Sequence, residues 1–105
     1  MNAYIRLRLA LTETEPTIKA YQEADWAMLD DAQHAPVEVS LKLLDPLHDR
    51  WVRLLRTVTQ EQYARPLRHS ESGLKNVDWL LFLYGWHGRH HTAHITELRK
   101  QKGWN

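Results

Sequence analysis

An all-α fold is what this sequence predicts, and three observations carry the prediction. Between Pro36 and Val58, apolar residues (Leu44, Leu47, Trp51, Leu54 or Leu55, Val58) recur at three- and four-residue steps, the period of one helix face. From Val77 to about Lys100 runs a second long segment with helix start and stop signals at its ends. The only strand-like alternation lies in residues 1–12, and no other segment is visible to pair with it.

Taken in order, residues 1–12 fit either period. Ile5, Leu7, Leu9 and Leu11 alternate with Arg6, Arg8 and Ala10, whereas Tyr4, Leu7 and Leu11 follow helical spacing. A lone strand cannot satisfy its backbone hydrogen bonds, and Leu, Arg and Ala are good helix formers, so this stretch is assigned as helix. Glu13 to Pro36 reads as a connection punctuated by Pro16 and Pro36. Within it, residues 23–29 can form a short helix, with Trp26 and Leu29 as its expected buried anchors. In the next helix Pro46 marks either a kink or a fresh start with Asp45 as N-cap. Thr59-Gln60-Glu61-Gln62 has the form of a capping box opening one short turn. Arg65 to Lys75 is expected to be a polar loop. Asn76 caps the last helix, Asp78 sits in its first turn, Arg99 and Lys100 lie near its end, and Gly103 suits its termination.

The bulk composition narrows the function classes. A chain of 105 residues is one small domain. Lys+Arg 14 against Asp+Glu 13 leaves almost no net charge, so no nucleic-acid partner is expected. No run approaches the roughly 20 apolar residues of a membrane span, and the N-terminal stretch carries Arg6 and Arg8, unlike a signal peptide. With no cysteine, the expectation is a soluble cytoplasmic protein without thiolate chemistry of its own. Five tryptophans imply a substantial core, an interface, or both.

The chemistry concentrates in residues 87–94, where four of eight residues are histidine: His87, His90, His91 and His94. Imidazole is the commonest metal ligand, and two histidines four apart on a helix share a face. With His87 at zero and about 100° per residue, His91 lies at about +40°, mid-stripe among Leu80, Tyr84, Ile95 and Leu98. His94 falls at about −20° and His90 at about −60°, further out. The inward pair is therefore His87 and His91, either as metal ligands or as core histidines satisfied by hydrogen bonds. One pair gives two ligands, and catalytic zinc-type sites generally use three plus water. His48, between Leu47 and Trp51, is a candidate site-lining residue, as is His94. His34 and His69 are read as solvated loop histidines. No residue is assigned a catalytic acid–base role.

The segment Tyr84-Gly85-Trp86-His87-Gly88-Arg89-His90-His91-Thr92-Ala93-His94-Ile95-Thr96, ending in Gly103-Trp104, resembles the last helix of the DinB/YfiT-like superfamily. Residues 1–13 resemble that family's second helix, Leu47-His48-Asp49-Arg50-Trp51 its third, and His69-Ser70-Glu71-Ser72-Gly73 the following loop. The resemblance covers essentially the whole chain. It implies a four-helix bundle, here a single incomplete domain over 1–105 lacking the first helix, with three main helices plus short helical turns. It further implies a divalent metal, nickel or zinc, held by three histidines, two of which correspond to His87 and His91. The third ligand falls upstream of the residues matching Met1-Asn2. The implied activity is that of a metal-dependent hydrolase or a thiol S-transferase, with metal-activated water or a small-molecule thiol. The alternative is a non-catalytic helical protein that oligomerises, with or without a structural metal. A bundle short of one helix exposes an apolar groove. The expectations are therefore a homodimer or higher homo-oligomer, a fragment of a longer chain, or a degenerate member.

Overall fold

A computed structural model describes residues 1–104. Its element order is α1 (Asn2–Thr12), β1 (Thr17–Ile18), α2 (Glu23–Ala27), α3 (Asp30–His34), α4 (Val37–Leu55), α5 (Gln60–Tyr63), β2 (Pro66–His69), β3 (Gly73–Asn76) and α6 (Val77–Lys102). The mostly helical architecture follows the sequence reading, with one addition that the reading missed.

That addition is a three-stranded sheet in the order β1-β2-β3. The expected polar loop at 65–75 is instead an antiparallel hairpin, pairing Leu67 with Lys75 and Arg68 with Leu74. β1 joins it in parallel, with Thr17 opposite Arg68 and Ile18 opposite His69. The strands leave no periodic mark in the sequence because they are two and four residues long. Only Ile18 and Leu67 are fully buried in them, too few to show a period of two. Pro66 takes the first position of its strand, where a missing N–H costs least. Gly73 closes the hairpin at φ +76, a backbone region open to glycine.

α1 resolves the ambiguous N-terminal stretch in favour of the helical period. Leu7 and Ala10 are buried, while Ile5, which a strand would have placed beside Leu7, is 51% exposed. Arg65 closes the helix's C-terminal end: its Nε donates to the Ala10 carbonyl at 2.9 Å and its Nη2 to the Glu13 carbonyl at 2.7 Å. α4 runs through Pro46 as one element. Thr59 caps α5 with the reciprocal capping box that its sequence announced. Asn76 Oδ1 accepts the Trp79 amide at 2.9 Å at the start of α6, and Gly103 ends that helix in the left-handed conformation.

The core is Leu7, Ala10, Ile18, Leu67, Val77 and Leu80, with Trp51, Leu54, Leu55, Tyr63, Trp79 and Tyr84 packed against it. It sits at one end of the molecule, where α1, the sheet and the first two turns of α6 meet. Trp26 and Leu29, expected as buried anchors, are 50% and 55% exposed. α2 and α3 meet little besides each other, and Trp26 lies against Tyr21 with ring centres 4.7 Å apart and planes tilted at 44°. From Gly85 onward every described residue of α6 is exposed, so about 27 Å of helix projects past the core. The first half of α4 is likewise exposed, including Val37, Val39, Leu41 and Leu44.

Candidate metal centre

α6 sets the histidine geometry, since four residues bring side chains over one another on a helix. His91 Nε2 lies 3.0 Å from His87 Nε2, with the ring planes at 86°. His94 Nε2 lies 2.9 Å from His90 Nε2, with the planes at 87°. In each pair one ring nitrogen donates and the other accepts. Each pair thus brings two imidazole nitrogens within a span that one ion could bridge in place of the shared proton. All four histidines are exposed, so the inward placement of His87 and His91 is relative: the stripe they continue is buried only as far as Leu80.

His87 differs from the other three in its surroundings. It lines an open cleft of about 480 Å³ with Asn2 and Arg6 of α1, Tyr21, Glu23, Trp26, His69, Glu71 and Tyr84. Partial burial there lowers its pKa, and the neighbouring His91 and His90 act in the same direction. A neutral imidazole is the form that binds metal. Arg6 is anchored through Nη2 to the Lys19 carbonyl at 2.8 Å. The Tyr84 hydroxyl is buried without a hydrogen-bond partner, and burial pushes its pKa up, with Arg6 opposing the shift. Tyr84 therefore stays a phenol, an O–H donor at the floor of the cleft.

His48 lies apart from this cleft. Its Nδ1 bonds the Leu44 carbonyl at 2.9 Å, its ring packs 5.9 Å from Trp51, and it lines a separate groove with Leu41, Lys42, Leu44, Asp45 and Pro46. His94 belongs with His90. His69, read as a solvated loop residue, is a half-buried strand residue in the His87 cleft. Its Nδ1 accepts the Glu71 and Ser72 amides at 3.3 and 3.4 Å and so shapes the hairpin turn. His34, on α3, is exposed as expected and pairs with Asp30 at 2.8 Å. Sequence reasoning missed His69, Glu71 and Glu23 as cleft residues because the hairpin that carries the first two went unseen.

Fit to a metal can be judged from the donors alone. His87 and His91 offer two nitrogens at a spacing suited to one ion. Among the described residues, no cluster of three or more His, Cys, Asp or Glu is placed to hold one. The described residues thus supply a pair of candidate nitrogen ligands and no third one beside it.

The family model of the DinB superfamily matches residues 1–95. Over 104 residues the chain is 53% identical to a Bacillus cereus (strain B4264) protein named "Putative metal-dependent hydrolase", covering 99% of this chain and 60% of that protein. A protein of the same description from Bacillus thuringiensis subsp. konkukian is 52% identical over the same span. Among solved structures, YfiT from Bacillus subtilis, described as "a probable metal-dependent hydrolase with an unusual four-helix bundle topology", matches with a TM-score of 0.93 at 45% identity. That match covers 100% of this chain and 61% of YfiT. The chain thus spans about 60% of the length of the curated relatives it matches. With the family model extending over nearly the whole sequence, this chain belongs to the DinB superfamily.

Proposed function

We propose that this chain carries the two-histidine part of a metal-dependent hydrolase site, with His87 and His91 binding a divalent ion, nickel or zinc. The observation behind the reading is the 3.0 Å approach of their Nε2 atoms beside a cleft lined by ionisable and hydrogen-bonding side chains. The names of the relatives support the same class. When bound, such an ion supplies the Lewis acidity that makes a nucleophile of water or of a low-molecular-weight thiol near neutral pH. The chain's own residues do the rest. Arg6, held by the Lys19 carbonyl, offers positive charge to an anionic substrate group. Tyr84, kept protonated by burial, offers an O–H to an oxygen that gains negative charge. Glu23 and Glu71 provide carboxylates that can take a proton from the nucleophile.

The third ligand is assigned, within this proposal, to a second copy of the chain rather than to His48, which lines a different groove. The apolar residues left open on α6 (Phe82, Trp86, Ile95, Leu98) and on α4 (Val37, Val39, Leu41, Leu44) are the surface such a copy would cover. The site would then act in the cytoplasm as a homodimer.

Metal content and sedimentation mass of the purified chain test this reading together. The expected result is a dimer holding a divalent ion at neutral pH, and chelator-sensitive hydrolysis of an activated ester. A second reading, a non-catalytic helical protein that works by oligomerising, is favoured by the absence of a third ligand among the described residues and by the open apolar faces. A dimeric, metal-free chain without ester hydrolysis would select that second reading.

A further inference from the structure

The histidine run holds a second convergent pair that the cleft does not use. His90 Nε2 and His94 Nε2 stand 2.9 Å apart on an exposed part of α6. The His90 ring is stacked on the Trp86 indole, with ring centres 4.6 Å apart and planes at 17°. That stack restricts the imidazole's rotation, so less freedom is lost when it ligates. Arg89, the nearest cation in sequence, lines the same groove as Trp86 and His90, with its Nε donating to the Gly85 carbonyl at 3.0 Å.

From this geometry we infer that His90 and His94 form a second divalent-metal site, independent of His87 and His91. Its bite, like the 3.0 Å one of the His87–His91 pair, suits nickel(II) or copper(II). Metal–imidazole bonds of about 2.0–2.1 Å spanning the 2.9 Å between the nitrogens subtend about 90° at the ion. That is the angle between cis positions of square-planar or octahedral coordination, whereas a tetrahedral ion would need the nitrogens about 3.4 Å apart. The remaining positions are open to water or to a ligand brought by another molecule. Binding here leaves the cleft residues untouched, so this inference does not depend on the hydrolase reading.

Equilibrium dialysis of the chain against nickel(II) at neutral pH is the test, with far-UV circular dichroism to confirm that each variant stays helical. The wild type is expected to bind about two equivalents per chain. Both the His90→Ala/His94→Ala and the His87→Ala/His91→Ala variants should bind about one, and the fourfold variant none. In the His87→Ala/His91→Ala background, copper(II) should quench Trp86 fluorescence, and adding Trp86→Phe should remove most of that quenching. The inference is overturned if His90→Ala/His94→Ala binds as much nickel as the wild type, or if His87→Ala/His91→Ala binds none. It is likewise overturned if the surviving site in that second variant takes zinc(II) in preference to nickel(II). Loss of the cleft equivalent alone would count against the hydrolase reading and leave this one standing.

Discussion

The two ends of this molecule are built differently. At one end α1, the three strands and the start of α6 bury Leu7, Ala10, Ile18, Leu67, Val77 and Leu80 to 2% exposure or less. At the other, the second half of α6 and the first half of α4 hold their helical form with apolar side chains open on every described side. The first end is held by burial. The second is held by backbone ladders, with a cap at Gly103 on α6 and no side-chain cap at the start of α4, and such ladders sustain a helix only marginally without tertiary packing. The histidines stand at the boundary: His87 still touches the packed end through the cleft, while His90, His91 and His94 belong to the open one. Ligand geometry here is set by helix periodicity, and access by the lack of covering structure.

If this contrast is right, substitutions at the two ends should differ widely in cost. The largest effect is expected from Leu67→Ala, which empties the centre of the sheet–helix core and should lower unfolding free energy by about 2–5 kcal/mol in urea titration. A loss below about 1 kcal/mol would mean the packed end is not the seat of stability. Asn76→Ala removes the side-chain acceptor of the Trp79 amide at the start of α6 and should cost about 1 kcal/mol by the same titration. Ile95→Ala, at 62% exposure on the open end, should change stability by about 0.5 kcal/mol or less in the monomer. In a concentration series the same substitution should weaken any dimer that covers this face. A large loss in dilute monomer would show that the open end is packed after all. Amide hydrogen exchange sharpens the division, with residues 88–102 expected to exchange faster than residues 77–84.

Much of this was legible in the sequence where the signal is local. The Asn76 cap, the Thr59 capping box, the Gly103 termination and the helical reading of residues 1–12 each follow from a few adjacent residues and were met. The convergent histidine pairs follow from a spacing of four on a helix. What failed was non-local. The hairpin at 66–76 is made by backbone pairing between short segments, with β1 recruited from some 50 residues away. Trp26 and Leu29 read as anchors by side-chain type alone, yet burial needs a partner surface, and none of the described elements supplies one. His69 and Glu71 reach the His87 cleft only because that unseen hairpin turns toward α6.

The account's central claim is that His87 and His91, not His48, bind the ion at the cleft. Calorimetric titration with nickel(II) at neutral pH, comparing wild type, His87→Ala/His91→Ala and His48→Ala, tests it most directly. The double variant should lose one equivalent, while His48→Ala keeps the wild-type stoichiometry. Undiminished binding by the double variant, or loss of the cleft ion on His48→Ala alone, would contradict the account.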